Sequence, residues 1–164
     1  MKIITANKSE FYKLDPARQV ITHEHSQKYA VLDLDESLGC YGLSWRSELI
    51  EPIIELSTDG RTLWIGVDQK LAAIDMQRGN ICIAMSFTTP IFQILIVDNL
   101  TAILTELEVL LFSSTRSLTC FQVLPDLSSN ISVSGSDFVI SMFDNTNLLL
   151  TRSGVLKETS PAQR

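Results

Sequence analysis

The 164-residue sequence predicts an all-β fold, a propeller-like or half-propeller array of about three to four four-stranded antiparallel blades. Three observations predict it. Short apolar runs rich in β-branched residues recur at intervals of roughly 8–12 residues. Polar turns separate these runs, and helical periodicity is almost absent. The runs also repeat as a group about every 36–39 residues, which is close to the length of a propeller blade.

The N-terminal part, residues 1–50, is predicted to form an irregular blade or cap. The only segment with helical character is Trp45–Leu56, and Pro52 interrupts it. This part would either complete the array as a fourth blade or cover an edge of it. Its strand-like runs are Lys2–Thr5, Phe11–Leu14, Gln19–Thr22 and Tyr29–Leu34.

Three repeats follow, at about 53–87, 90–124 and 128–158. In the first repeat the predicted strands are 53–56, 62–66, 70–75 and 80–86, and the next two repeats keep the same order of strands and turns. Their registers agree, because Arg78 and Arg116 lie 38 residues apart, as do Cys82 and Cys120. Residues 1–158 are therefore predicted to form a single propeller-like β domain, with a polar tail at 159–164.

One segment of the first repeat resembles a known type of blade. Leu56–Val67 places a Ser-x-Asp-Gly turn before a strand, and it resembles the second strand of WD40-like and quinoprotein-like blades. Leu71–Gly79 is similar to their third strand and the turn after it. The resemblance covers roughly residues 53–158 and implies a propeller fold. The sequence has no Trp-Asp dipeptide, Gly-His pair or tryptophan-docking motif, so no cofactor or peptide role is carried over.

Net charge and cysteine usage restrict the classes of partner and compartment. The formal charge is −6 and the pI about 4.8, with basic residues scattered along the chain. Such a surface repels nucleic acid and favours a basic protein partner. Three cysteines without metal-ligand or disulfide spacing indicate a reducing compartment. No signal peptide or membrane span is evident, so the expected location is cytoplasmic, without membrane contact.

The candidate partner-binding residues are carboxylates with an aromatic anchor. Asp33 and Asp35 alternate with leucines, which would place both carboxylates on one face of a strand. Tryptophan and tyrosine are common anchors of protein interfaces. The predicted set is Asp33, Asp35, Glu36, Tyr41, Trp45 and Glu48.

Catalytic and metal sites have little support in the sequence. His23 and His25 would share one face of a strand and are weak candidates for metal ligands, but the chain has no other histidine. Nucleophile, phosphate-loop and dinucleotide motifs are absent. We therefore expect no enzyme activity, no catalytic residue and no cofactor.

The leading functional hypothesis is a non-enzymatic protein-binding domain. In its sharpest form it is an acidic immunity protein that occludes a basic nuclease toxin, a class that it resembles only in bulk properties. The alternative is a structural or adaptor module of a larger complex, which would expose an apolar patch in place of an acidic one. A metal-dependent enzyme using His23 and His25 is a third hypothesis.

Overall fold

The computed structural model describes residues 1–159 and confirms the all-β prediction. Sixteen strands within this range form four four-stranded sheets. The chain divides into two compact units, Met1–Thr88 and the described residues from Thr89 onward. Each unit contains two sheets. The predicted polar tail has only its first residue, Thr159, in this range, and its remainder lies outside the described residues.

The first sheet of the N-terminal unit is irregular in its strand order. It contains β1 (Lys2–Ala6), β2 (Gln19–Ile21), β3 (Lys28–Asp33) and β4 (Cys40–Trp45), ordered β1-β3-β4-β2. The β2–β4 pair is parallel, whereas β1–β3 and β3–β4 are antiparallel. The second sheet is a simple antiparallel meander of β5 (Ile53–Leu56), β6 (Thr62–Val67), β7 (Lys70–Asp75) and β8 (Ile81–Ser86).

The second unit contains two meanders in which sequence neighbours are also sheet neighbours. The third sheet consists of β9 (Ile91–Val97), β10 (Leu100–Thr105), β11 (Glu108–Phe112) and β12 (Leu118–Val123). The fourth consists of β13 (Ser128–Ser134), β14 (Asp137–Met142), β15 (Asn147–Leu150) and β16 (Leu156–Glu158). A four-stranded antiparallel meander is the form of a propeller blade.

Burial explains why the central strands are apolar on both faces. Every residue of β6 is buried, as are five of the six residues of β7. In the first unit, Leu43, Leu63 and Ile74 belong to one apolar cluster. The second unit has a separate cluster that includes Leu111 and Phe138. Each unit therefore has a core that excludes water from its own pair of sheets.

Two segments of the N-terminal part differ from the sequence prediction. The predicted strand at Phe11–Leu14 is wrong, because a short helix, α1 (Lys8–Lys13), occupies that segment. Asn7 caps it, accepting a hydrogen bond from the backbone of Glu10 while the Glu10 carboxylate accepts one from Asn7. The helical character assigned to 45–56 is also wrong: this segment contains the end of β4, a loop and β5.

Candidate functional site

The turn between β3 and β4 carries three of the predicted carboxylates. Asp33 is the last residue of β3, and Asp35 and Glu36 are exposed in the turn after it. The expectation that Asp33 and Asp35 share one strand face is corrected, because the strand ends before Asp35. We call residues 33–36 the acidic turn.

The Asp35 carboxylate stabilises the backbone of the acidic turn. Its Oδ1 accepts hydrogen bonds from the Ser37 hydroxyl at 2.7 Å and from the backbone N–H groups of Ser37 at 2.9 Å and Leu38 at 3.1 Å. These bonds, led by the Ser37 hydroxyl, lower the pKa of Asp35. The carboxylate therefore stays ionised and fixes the turn backbone.

Glu48 lies away from the acidic turn. It is exposed in the loop that follows β4, whereas the acidic turn precedes β4. The strand from Cys40 to Trp45 spans about 16 Å at roughly 3.3 Å per residue. The structure thus places Glu48 beyond the opposite end of β4 and does not bring it together with the other carboxylates.

The two predicted aromatic anchors are core residues. Tyr41 is fully buried, and its hydroxyl donates to the Gly79 carbonyl oxygen at 2.5 Å. Trp45 is also buried, and its Nε1 donates to the Ile50 carbonyl oxygen at 2.9 Å. Neither ring is accessible to a partner in this structure. The sequence did not reveal that both rings are buried, because β4 is buried on both faces and burial does not alternate along it.

The two histidines lie in the turn after β2, and this corrects the expectation that they share a strand face. His25 is exposed and has a positive φ of 56°. His23 is only 5% exposed, and its Nδ1 lies 2.7 Å from the Ser44 carbonyl oxygen. Among residues 1–159 no cluster of three or more His, Cys, Asp or Glu side chains could hold a metal ion.

His23 is neutral at physiological pH for a physical reason. Because a carbonyl oxygen can only accept, Nδ1 carries the proton in the contact with Ser44. Burial is the largest effect on His23 and lowers its pKa, and the charges of Lys70 and Arg46 act in the same direction. The Ser44 contact and the Asp68 charge oppose this shift. The neutral ring therefore leaves Nε2 as a buried acceptor.

A polar pocket of about 350 Å³ surrounds this histidine within the N-terminal unit. The exposed side chains of Lys8, Tyr12 and His25 line it together with buried His23 and half-buried Lys70. Local sequence patterns do not indicate this pocket. Its residues come from α1, the turn after β2, and strands β3 and β7, and no local spacing relates these segments.

The second unit has an exposed apolar strand edge that was not among the predicted sites. The sheet order places β12 at the edge of the third sheet. Leu118, Phe121 and Val123 on this strand are 47%, 49% and 64% exposed. Phe121 and Val123 are two residues apart and therefore share a strand face. We call these three side chains, with the strand backbone beside them, the β12 edge.

Comparison with known proteins gives the fold and no closer relationship. No family model and no curated protein matches the sequence. Among solved structures, the computationally designed Ika4 protein is 13% identical with a TM-score of 0.54, over 71% of this chain and 77% of Ika4.

Two natural structures are similar over longer stretches of this chain. A chain of the mitotic checkpoint complex is 12% identical with a TM-score of 0.54, over 99% of this chain and 54% of that chain. The N-terminal domain of Nup159 is 17% identical with a TM-score of 0.50, over 88% of this chain and 44% of that chain. These neighbours are propeller-type domains, and this chain spans about half the length of each. At such identities the likeness establishes blade-type architecture alone.

The helices among residues 1–159 are all too short and too polar to cross a membrane.

Proposed function

We propose that this chain is a non-enzymatic protein-binding module that acts as an adaptor and docks an extended apolar segment of another protein on the β12 edge. The observation that carries the proposal is the exposure of Leu118, Phe121 and Val123 on an uncharged edge strand. Natural proteins protect strand edges with charge, proline or a covering element. An edge that keeps exposed apolar side chains and no charge is suited to an interface.

Edge strands β2, β8, β9 and β13 also lack charge and proline, but each exposes at most one large apolar side chain, whereas β12 exposes three. Two further edge strands carry charge. β5 carries Glu55, and β16 carries Lys157 and Glu158. The sequence of β12, Leu-Thr-Cys-Phe-Gln-Val, has neither charge nor proline. Charge at an edge disfavours the addition of a further strand, so β12 is more receptive than β5 or β16.

The geometry of β12 favours the addition of a strand over a flat contact. A register irregularity between Leu111 and Phe112 interrupts pairing near the start of β12, so Cys120–Val123 form its regular part. Cys120 is buried, whereas Phe121 and Val123 are exposed. An added strand would bond to the free backbone edge, and its side chains would contact Phe121 and Val123. The likeness to propeller-type protein-interaction domains supports this class of function.

Paired glutamate variants test the proposal. Phe121→Glu combined with Val123→Glu places two carboxylates on the docking face, so we expect loss of a specific partner. Partners are recovered from the native host with the tagged chain and identified by mass spectrometry. The purified partner is then titrated by calorimetry, where we expect affinity to fall by about tenfold or more.

Val133→Glu is the matched control. Val133 is also an exposed apolar residue on an edge strand, β13. This variant adds a carboxylate to a comparable edge and should leave the affinity unchanged. Equal loss with the control, or full retention by the β12 variant, would contradict docking on the β12 edge.

The acidic turn supports a second candidate function. The chain carries a charge of −6, and Asp35 and Glu36 are exposed beside Asp33. A basic protein could dock there, and in the sharpest form that protein is a nuclease toxin that this chain occludes. Size and charge alone support the toxin identity. It is tested by asking whether the recovered partner cleaves nucleic acid and whether this chain stops it.

A further inference from the structure

The polar pocket around His23 combines positive charge with a buried acceptor. Lys8 and Lys70 line it, and neither forms an ion pair with a residue in the range 1–159. Glu24 also lines it and offsets one of these two charges. In a chain of net charge −6, this is a local site for an anion, and the balance favours a single negative charge.

His23, which also lines the pocket, carries a hydrogen-bond acceptor without a donor. His23 is 5% exposed, and its Nε2 is buried without a hydrogen-bond partner among the described residues. Nδ1 is bonded to the Ser44 carbonyl oxygen, so Nε2 lies on the opposite side of the ring as the unused acceptor. A buried acceptor that stays unsatisfied costs free energy, and a ligand that donates to it recovers that cost.

Two neighbouring hydroxyl groups already donate to other acceptors. The Ser26 hydroxyl donates within the turn, to the His23 carbonyl oxygen at 2.7 Å or to Ser44 Oγ at 3.0 Å. The Tyr29 hydroxyl donates to the Ser26 carbonyl oxygen at 3.2 Å. These bonds hold the turn and leave His23 Nε2 to a ligand.

We propose that this pocket binds a phosphoryl group that retains one proton, whose P–O–H donates to His23 Nε2 while its other oxygens accept from Lys8 and Lys70. A singly protonated phosphoryl group has both properties that the pocket requires, a negative charge and a hydroxyl donor. The volume of about 350 Å³ lies at the lower end for small-molecule sites, so it accommodates free phosphate or a small phosphate ester.

Sulfate is the discriminating probe, because it has nearly the shape of phosphate and no proton to donate at neutral pH. We expect inorganic phosphate at about pH 7, and phosphoserine at about pH 6, where it retains its proton in part, to bind more tightly than sulfate at the same pH by about tenfold or more. Isothermal titration calorimetry of the full chain measures all three ligands. Binding of phosphoserine but not inorganic phosphate, or the reverse, would identify the source of the phosphoryl group.

The matched variant is His23→Asn. The asparagine amide can still donate to the Ser44 carbonyl oxygen, as Nδ1 does, but it has no counterpart of Nε2. We expect this variant to remain folded by circular dichroism and to bind phosphate and sulfate with affinities within about twofold of each other.

A lysine variant keeps the proposal testable if His23→Asn does not fold. Lys70→Met removes one positive charge from the lining and should weaken phosphate and sulfate alike. Equal affinity of the wild-type chain for sulfate and phosphate would overturn the proposal. Absence of binding by all three ligands at millimolar concentration, or unchanged affinities in Lys70→Met, would also overturn it.

Discussion

His23 is one of the buried polar residues of the first unit. The ring is held by the Ser44 carbonyl oxygen at Nδ1, and Nε2 is buried without a hydrogen-bond partner among residues 1–159. Burial lowers its pKa, and the positive charges of Lys70 and Arg46 add to this effect. A proton on this ring therefore destabilises the folded state relative to the unfolded chain, where the imidazole is solvated.

The stability of the protein should consequently depend on pH in a defined window. The ordinary histidine pKa is about 6.5, so below that pH the unfolded chain takes up a proton that folded His23 excludes. The free energy of unfolding should be fully present above about pH 6.5 and fall as the pH decreases toward the lowered folded pKa. Urea denaturation between about pH 7.5 and 5 measures this slope.

His23→Asn is expected to flatten that slope, while His25 remains as an internal control in both proteins. Hydrogen bonds lower the pKa values of Asp35, Asp59 and Asp144, led by those from neighbouring hydroxyl groups. Their contribution is present above the ordinary aspartate pKa of about 3.9 and is lost below it, outside this window. An unchanged slope in the variant would show that His23 is not the responsible group.

At the scale of elements, most strands were predictable, including three of the four strand-like runs of the N-terminal part, whereas α1 and β4 were not. In β7, β9 and β12 the apolar run and its flanking turns are local, so sequence located these strands fully. Asn7 and Glu10 have the spacing of a capping box, which is a local sequence signal for α1 in the segment where a strand was predicted. No strand was predicted at β4, where Gly42 interrupts the apolar run.

Gly42 within β4 has a packing role that only the fold reveals. A Cβ at this position would lie 2.8 Å from Cδ2 and Cε2 of Phe11 and 2.9 Å from Cδ1 of Leu14. Phe11 is the buried residue of α1, so the glycine allows the helix to approach the strand closely.

Gly42→Ala should therefore destabilise the first unit by about 1–3 kcal/mol through overpacking against α1. Chemical denaturation measures the loss. Combining it with Phe11→Leu, which removes part of the ring that the new methyl group meets, should recover some of that free energy. Gly60→Ala is not an equivalent control, because Gly60 has a positive φ of 71°. The control is Ser86→Ala, at an exposed position of β8. Additive losses in the double variant would contradict direct contact.

At the scale of the whole molecule, net charge was predictable, but its distribution over surfaces was not. Composition gave the −6 charge, from which a basic partner was expected. Nearness in sequence then suggested one patch from Asp33 to Glu48, but β4 separates the two ends of that patch. Composition also could not indicate the lysine-lined pocket, because its residues are distant in sequence. Candidate sites made of residues on different elements require the fold.

This separation provides a test of electrostatic docking that compares two glutamates. Glu36→Lys and Glu48→Lys change the net charge equally, and both residues are exposed. A basic partner seated on the acidic turn should lose affinity by about threefold to tenfold with Glu36→Lys, mainly through slower association, and little with Glu48→Lys. Surface plasmon resonance with the recovered partner, at low and high salt, measures both rate constants.

The dependence of affinity on salt concentration distinguishes the two proposed docking surfaces. Docking on the acidic turn should weaken as ionic strength rises, because exposed charges are screened over about 8–10 Å at physiological salt. Docking on the apolar β12 edge should persist in high salt and respond to Phe121→Glu with Val123→Glu. Equal effects of Glu36→Lys and Glu48→Lys would indicate a response to net charge alone. Affinity that resists salt and both lysine variants would exclude the acidic turn and leave the β12 edge as the docking surface.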